Sequence, residues 1–193
     1  MKRDDRSGDS LAAAKVKEQT ETYDVQERYE IIQGVRYEMQ PSPSFLHQVI
    51  VFNMAFTLRQ SCHETGIVVV APMDVHLDAD NTVQPDLIFI RNGNLHIVQN
   101  NRIKGTPDLL AEVLSPSTGK HDRARKKALY ESFGVTEYWI VDPAHYTIEQ
   151  YELDAGSYRL AAVYGEGDTI RSNVFSCIHI DVTSLFAEAR RFE

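Results

Sequence analysis

Residues 82–90 read TVQPDLIFI, and residues 106–143 read TPDLLAEVLSPSTGKHDRARKKALYESFGVTEYWIVDP. Three apolar runs stand out: 87–90, 107–114 and EYWIVDP (137–143), each the length of a buried strand. Between the last two lies GKHDRARKKALYESF (119–133), which has helical spacing and stops at Gly134. Strand, helix, strand is the pattern of a crossover onto a neighbouring parallel strand. Further strands follow it, so the chain predicts a mixed β-sheet with helices packed against it.

Working outward, YEIIQGVRYEM (29–39) has two short apolar runs around Gln33-Gly34, which suit a tight hairpin turn. PSPS (41–44) breaks the chain and can start a helix. Leu46, Ile50, Met54 and Leu58 then recur every four residues, with Val49, Phe52 and Phe56 filling out one buried face. This helix is expected to end near Gly66, acting as its C′ residue. GIVVVAPMDVHL (66–77) reads as a strand. HYTIEQYEL (145–153) and YRLAAVY (158–164), joined by DAGS, predict another hairpin, and VTSLFAEARRF (182–192) a short terminal helix. Residues 1–20 are charged and nearly free of bulky apolar side chains, and read as a flexible tail. Residues 21–193 read as a single α/β domain, which fits a chain of 193 residues.

Composition removes several function classes. The chain has 20 Lys+Arg against 28 Asp+Glu, a formal charge of −8, so nucleic acid could be met only through a local basic patch. No apolar run approaches the roughly 20 residues of a membrane span. The N-terminus has no apolar segment of a secretory signal. Cys62 and Cys177 give no disulfide framework and no zinc spacing, and the expected compartment is a reducing cytoplasm. No phosphate-binding loop, nucleophile elbow or HExxH zinc motif occurs.

Three features carry chemistry. Asp86 opens an apolar strand; taken alone, it reads as a turn residue at a strand start. Glu112 lies mid-strand with apolar residues on both alternating faces. A carboxylate there is costly unless it is paired or bound to a metal. The block 119–127 is the one dense basic cluster of an acidic chain, and a charge run is usually a solvated helix face. Yet Lys126 shares a face with Asp122, Tyr130 and Phe133, which places it within reach of the sheet end beside Glu112. Two carboxylates suit Mg²⁺ (or Mn²⁺), and a nearby ammonium suits an attacking water or a charged phosphate. His47, at the start of the first helix, reads as a surface or capping residue. Asp74, His76, Asp78 and Asp80 in DVHLDADN (74–81) read as a solvated strand end.

The two quoted blocks, with YEIIQGVRYEMQPSPSFLHQ ahead of them, resemble a large bacterial family of predicted restriction-type endonucleases, once filed as a domain of unknown function, in the PD-(D/E)XK nuclease superfamily. The resemblance covers about residues 28–185. It implies a restriction-endonuclease-like fold with a mixed central sheet, with Asp86 and Glu112 as the metal-binding acids. Leu114 stands where the superfamily's lysine is expected. In this family the lysine role moves to the following helix, hence to Lys126, with Lys127 or Lys120 as alternates. Glu30 is implied as an additional acid, and Gln84, two residues before Asp86, as a group near metal-bound water. The family's first hairpin has an acid where this chain has Gln33, so no role is carried there. The implied activity is cleavage of DNA by a homodimer. The rival readings are an inactive module of the same fold, for DNA binding or subunit assembly, and a dimer with no nucleic acid partner.

Overall fold

The computed structural model describes residues 28–39, 43–115 and 121–192. The expected tail at 1–20 and the alternate lysine Lys120 lie outside them. The chain begins with a hairpin, β1 (Tyr29–Ile32) and β2 (Val35–Glu38), whose two-residue turn puts Gln33 and Gly34 both at positive φ. That is the turn whose twist matches paired strands, and Gly34 supplies its second position without strain.

The helix α1 (Phe45–Cys62) follows, and the Ser44 side chain caps it by accepting from the His47 N–H. Its buried face is Ile50, Val51, Met54, Leu58 and Cys62. Phe52 and Phe56, expected on that face, instead stand 67% and 60% exposed on the opposite side, where their rings stack on each other. The helix is apolar on both sides, so periodicity alone did not show which side meets the core. Gly66 also departs from expectation. It opens β3 (Gly66–Val70), and a Cβ there would strike the Ile90 carbonyl and the Phe89 ring. Close strand approach, not helix termination, accounts for this glycine.

Two stretches read as single strands are each split. The 66–77 stretch breaks at the cis Ala71–Pro72 bond into β3 and β4 (Val75–His76), and the 82–90 stretch breaks at 84–86 into β5 (Thr82–Val83) and β6 (Leu87–Arg91). The halves join different sheets. The smaller sheet has the order β2-β1-β5-β4-β8-β7, where β7 (Val98–Gln99) and β8 (Arg102–Lys104) form a short hairpin. The large sheet has the order β12-β11-β10-β9-β6-β3. Here β9 (Leu109–Val113) runs parallel to β10 (Glu137–Asp142), with α2 (His121–Ser132) as the crossover between them. The hairpin of β11 (Thr147–Asp154) and β12 (Ser157–Tyr164) and the strands β6 and β3 add antiparallel pairs, so the sheet is mixed. The chain closes with the pair β13 (Thr169–Arg171) and β14 (His179–Asp181), then α3 (Val182–Phe186). A separate single turn at Ala189–Phe192 takes the place of the expected continuous helix.

Strand alternation sorts the core into two layers. Leu87, Phe89, Leu109, Ala111, Val113, Trp139 and Val141 face α1 and α3. Ile88, Ile90, Leu110, Tyr138 and Ile140 face α2 with its Leu129 and Tyr130. Cys62 at the end of α1 is joined by a disulfide to Cys177, ahead of β14, across a sequence separation of 115. This corrects the expectation of no disulfide: two cysteines show no spacing pattern, and only the packing of α1 beside β14 brings them together.

Candidate active site

Glu112 occupies the fourth position of β9, which lies between β10 and β6 in the large sheet. Its neighbours Ala111 and Val113 point to the α1 layer, so Glu112 points to the α2 layer. There α2 presents two residues one turn apart. Lys126 Nζ donates to Glu112 Oε1 at 3.0 Å, and the Tyr130 hydroxyl donates to the same oxygen at 2.7 Å. The Lys126 ammonium also lies 2.8 Å from Glu30 Oε1 on β1. That Glu30 oxygen accepts the Gln84 N–H at 2.9 Å. Lys126 and Glu30 are both buried. One ammonium thus ties together the hairpin, the central strand and the crossover helix.

Asp86 lies one residue ahead of β6. The antiparallel register pairs Leu87 with Ala111, and its continuation sets Asp86 opposite Glu112. Asp86 Oδ2 accepts the Val113 N–H at 2.8 Å, and His47 Nε2 lies 3.1 Å from the same oxygen. His47, expected on the surface, has a side chain only 12% exposed. Its backbone does serve the helix cap, as the sequence suggested, while its ring turns inward to the acid. Sequence spacing held no signal for that contact, because it spans 39 positions. Tyr130 was legible as a neighbour of Lys126 on the helix face, but not as a donor to Glu112.

Burial holds the Glu112 carboxyl up, to about 8; Lys126 opposes the shift, while the charges of Asp86 and Glu30 add to it. Burial pulls the Lys126 ammonium down, but Glu112 and Glu30 outweigh it and hold the group above the usual amine value. Burial, with the Glu112 and Glu30 charges beside it, keeps the Tyr130 hydroxyl protonated far above its ordinary range. Glu30 and Glu112 face one ammonium, and the Asp86 charge lies close enough to add to the shift of Glu112.

The remaining candidates lie elsewhere. The Gln84 side chain donates to Asp74 and accepts from Arg28, so its contact with the site runs through its backbone N–H. Lys127 sits over the Tyr151 ring at 3.8 Å, Arg125 over the Tyr37 ring at 4.0 Å, and Arg123 pairs with Glu149. Much of the basic character of α2 is therefore spent within the fold. In the 74–81 segment, Asp78 Oδ1 accepts from the Asp80 N–H and the Asn81 side chain, a local turn. Among the described residues no three His, Cys, Asp or Glu side chains are arranged to hold a metal ion.

Residues 18–183 match the model of a protein family described as Uma2, putative restriction endonuclease. The chain belongs to the Uma2 family. A crystal structure of a protein from Anabaena variabilis, described as a putative nuclease belonging to DUF820, superposes with a TM-score of 0.68. That match is at 18% identity and covers 82% of this chain and 89% of that one, so it speaks for a shared fold. No curated protein matches the chain. Uma2 membership agrees with the resemblance read from 82–143. Among the described residues, no helix is long and apolar enough to cross a membrane.

Proposed function

We propose that this Uma2 chain is a divalent-cation-dependent endonuclease that hydrolyses phosphodiester bonds of DNA. The observation that supports it most is the meeting of Glu30, Glu112 and Lys126 beside Asp86, drawn from four separate elements. A fold gains little stability from packing two acids around one buried amine with a third acid beside them. Replacing such a cluster by apolar residues is often neutral or stabilising, so its presence calls for a chemical use.

The residues fit Mg²⁺ or Mn²⁺. The donors are hard carboxylate oxygens, two of them suffice for a cation that keeps several waters, and a dication would offset both the burial that lifts Glu112 and the added charges of Asp86 and Glu30. Asp86 and Glu112 would hold it. Such a cation supplies Lewis-acid polarisation of a phosphoryl oxygen and a more acidic water. Lys126 keeps a full positive charge at Nζ, suited to orient an attacking water or to face charge growing on the phosphate. Glu30 and Tyr130 hold Lys126 and Glu112 in place. Duplex DNA has two antiparallel strands, so we read the working form as a homodimer with one site per strand.

The test is conversion of supercoiled plasmid by the purified protein in Mg²⁺ or Mn²⁺, with EDTA as the control. Wild type should nick or linearise it, EDTA should stop the reaction, and Glu112→Ala or Lys126→Ala should slow it by about 10²–10⁴-fold. Equal inactivity of wild type and Glu112→Ala over plasmid, linear and single-stranded substrates would overturn the reading. Salt-dependent DNA affinity without strand breaks would favour the inactive module instead.

A further inference from the structure

We propose that His47 is a positioning residue of this site, holding Asp86 by one oxygen so that the other, Oδ1, is the one offered to the cation. The inference rests on the nuclease reading above and goes beyond it by fixing which oxygen is used and what fixes it.

A carboxylate accepts hydrogen bonds and does not donate them, so at 3.1 Å the His47 Nε2 carries the hydrogen. The Val113 N–H donates to that same Oδ2 at 2.8 Å. Two donors converge on one oxygen of Asp86, while no donor among the described residues is placed on the other. The ring's position is set from behind. The Ser44 cap fixes the His47 backbone, and Ile50 and Met54, one and two turns further along α1, are fully buried in the core.

The far side of the ring supplies the second argument. His47 Nδ1 is buried and has no hydrogen-bond partner. A buried polar atom without a partner carries a desolvation cost that a leucine filling the same space would not. The position keeps a histidine despite that cost, and Nε2 is the only atom of the ring with a partner among the described residues. Groups behind metal-binding side chains act in this way, by fixing the ligand's orientation before the ion arrives.

The experiment is titration of Mn²⁺ into the full-length protein by calorimetry, for wild type, His47→Gln and His47→Leu. Leucine fills the space without a donor, and glutamine can restore an N–H toward Asp86. Thermal unfolding of each variant establishes that it is folded before titration. His47→Leu should weaken Mn²⁺ binding by about 10–100-fold, and His47→Gln should recover most of that loss. Equal Mn²⁺ affinity in wild type and His47→Leu, or an equal loss in both variants, would overturn the role of His47 while leaving the site reading intact. Absence of Mn²⁺ binding by wild type itself would overturn both.

Discussion

Lys126 decides whether the two acids packed around it are tolerable. Its ammonium is shared by Glu30 and Glu112, and removing it would leave both carboxyls buried with no countercharge. Lys126→Met keeps the length and apolar bulk of the side chain and deletes only the charge. We expect it to destabilise the fold by about 3–5 kcal/mol at neutral pH, as read by urea unfolding. The sign with pH follows from the acids. Glu112 is already raised to about 8, and without Lys126 it rises further. A raised carboxyl favours the folded state fully below its ordinary value and loses that contribution as pH rises through the folded value. The deficit of Lys126→Met relative to wild type should therefore stay level up to about pH 8, where both folded proteins keep Glu112 protonated, and grow above it, where only wild type has released that proton. A deficit that stays constant from about pH 7 to about pH 9.5 would contradict the shared-ammonium account. Glu112 could be singled out from its sequence because a carboxylate amid Leu109, Leu110, Val113 and Leu114 has no ordinary explanation. His47 could not, because its role depends on how α1 crosses the end of β6.

At the scale of elements, β6, β9 and β10 were legible as apolar strands, and the strand geometry that sends successive side chains to opposite faces is what aims Glu112 at α2. The turn at Gln33-Gly34 and the stop at Gly134, whose φ is +76°, were legible as well, since each rests on local backbone chemistry. The splitting of 66–77 and 82–90 was not. Each runs on as an extended apolar segment in sequence, and only pairing with different partners divides it. Gly66 was misread for the same reason: a glycine after a helix looks like a stop, while its close neighbours belong to the distant β6. Gly66→Ala should then cost about 1–3 kcal/mol, because the intruding atom meets the backbone of Ile90 as well as the Phe89 ring. A change within about 0.5 kcal/mol in chemical denaturation, as for an ordinary surface substitution, would show that β3 shifts freely.

For the whole molecule, the arrangement follows from one constraint. The mixed sheet runs β9 and β10 in parallel with α2 crossing between them, and the β1–β2 hairpin closes over the same end of the layer through Glu30. The site lies where these three parts meet. The Cys62–Cys177 bond fastens α1 to the loop before β14 on the opposite layer, away from the acids. The order of the central elements was readable from 82–143, whereas the smaller sheet beyond its β1–β2 hairpin was not, because β4, β5, β7 and β8 are two or three residues long and carry too little pattern. The central claim is that Asp86 and Glu112 hold one divalent ion beside Lys126. Crystals of the protein soaked in Mn²⁺ and measured at the manganese edge test it directly. The account predicts an anomalous peak about 2.0–2.3 Å from Asp86 Oδ1 and from a Glu112 oxygen. A fully soaked crystal with manganese elsewhere, and Lys126 still clasped between Glu30 and Glu112, would contradict it.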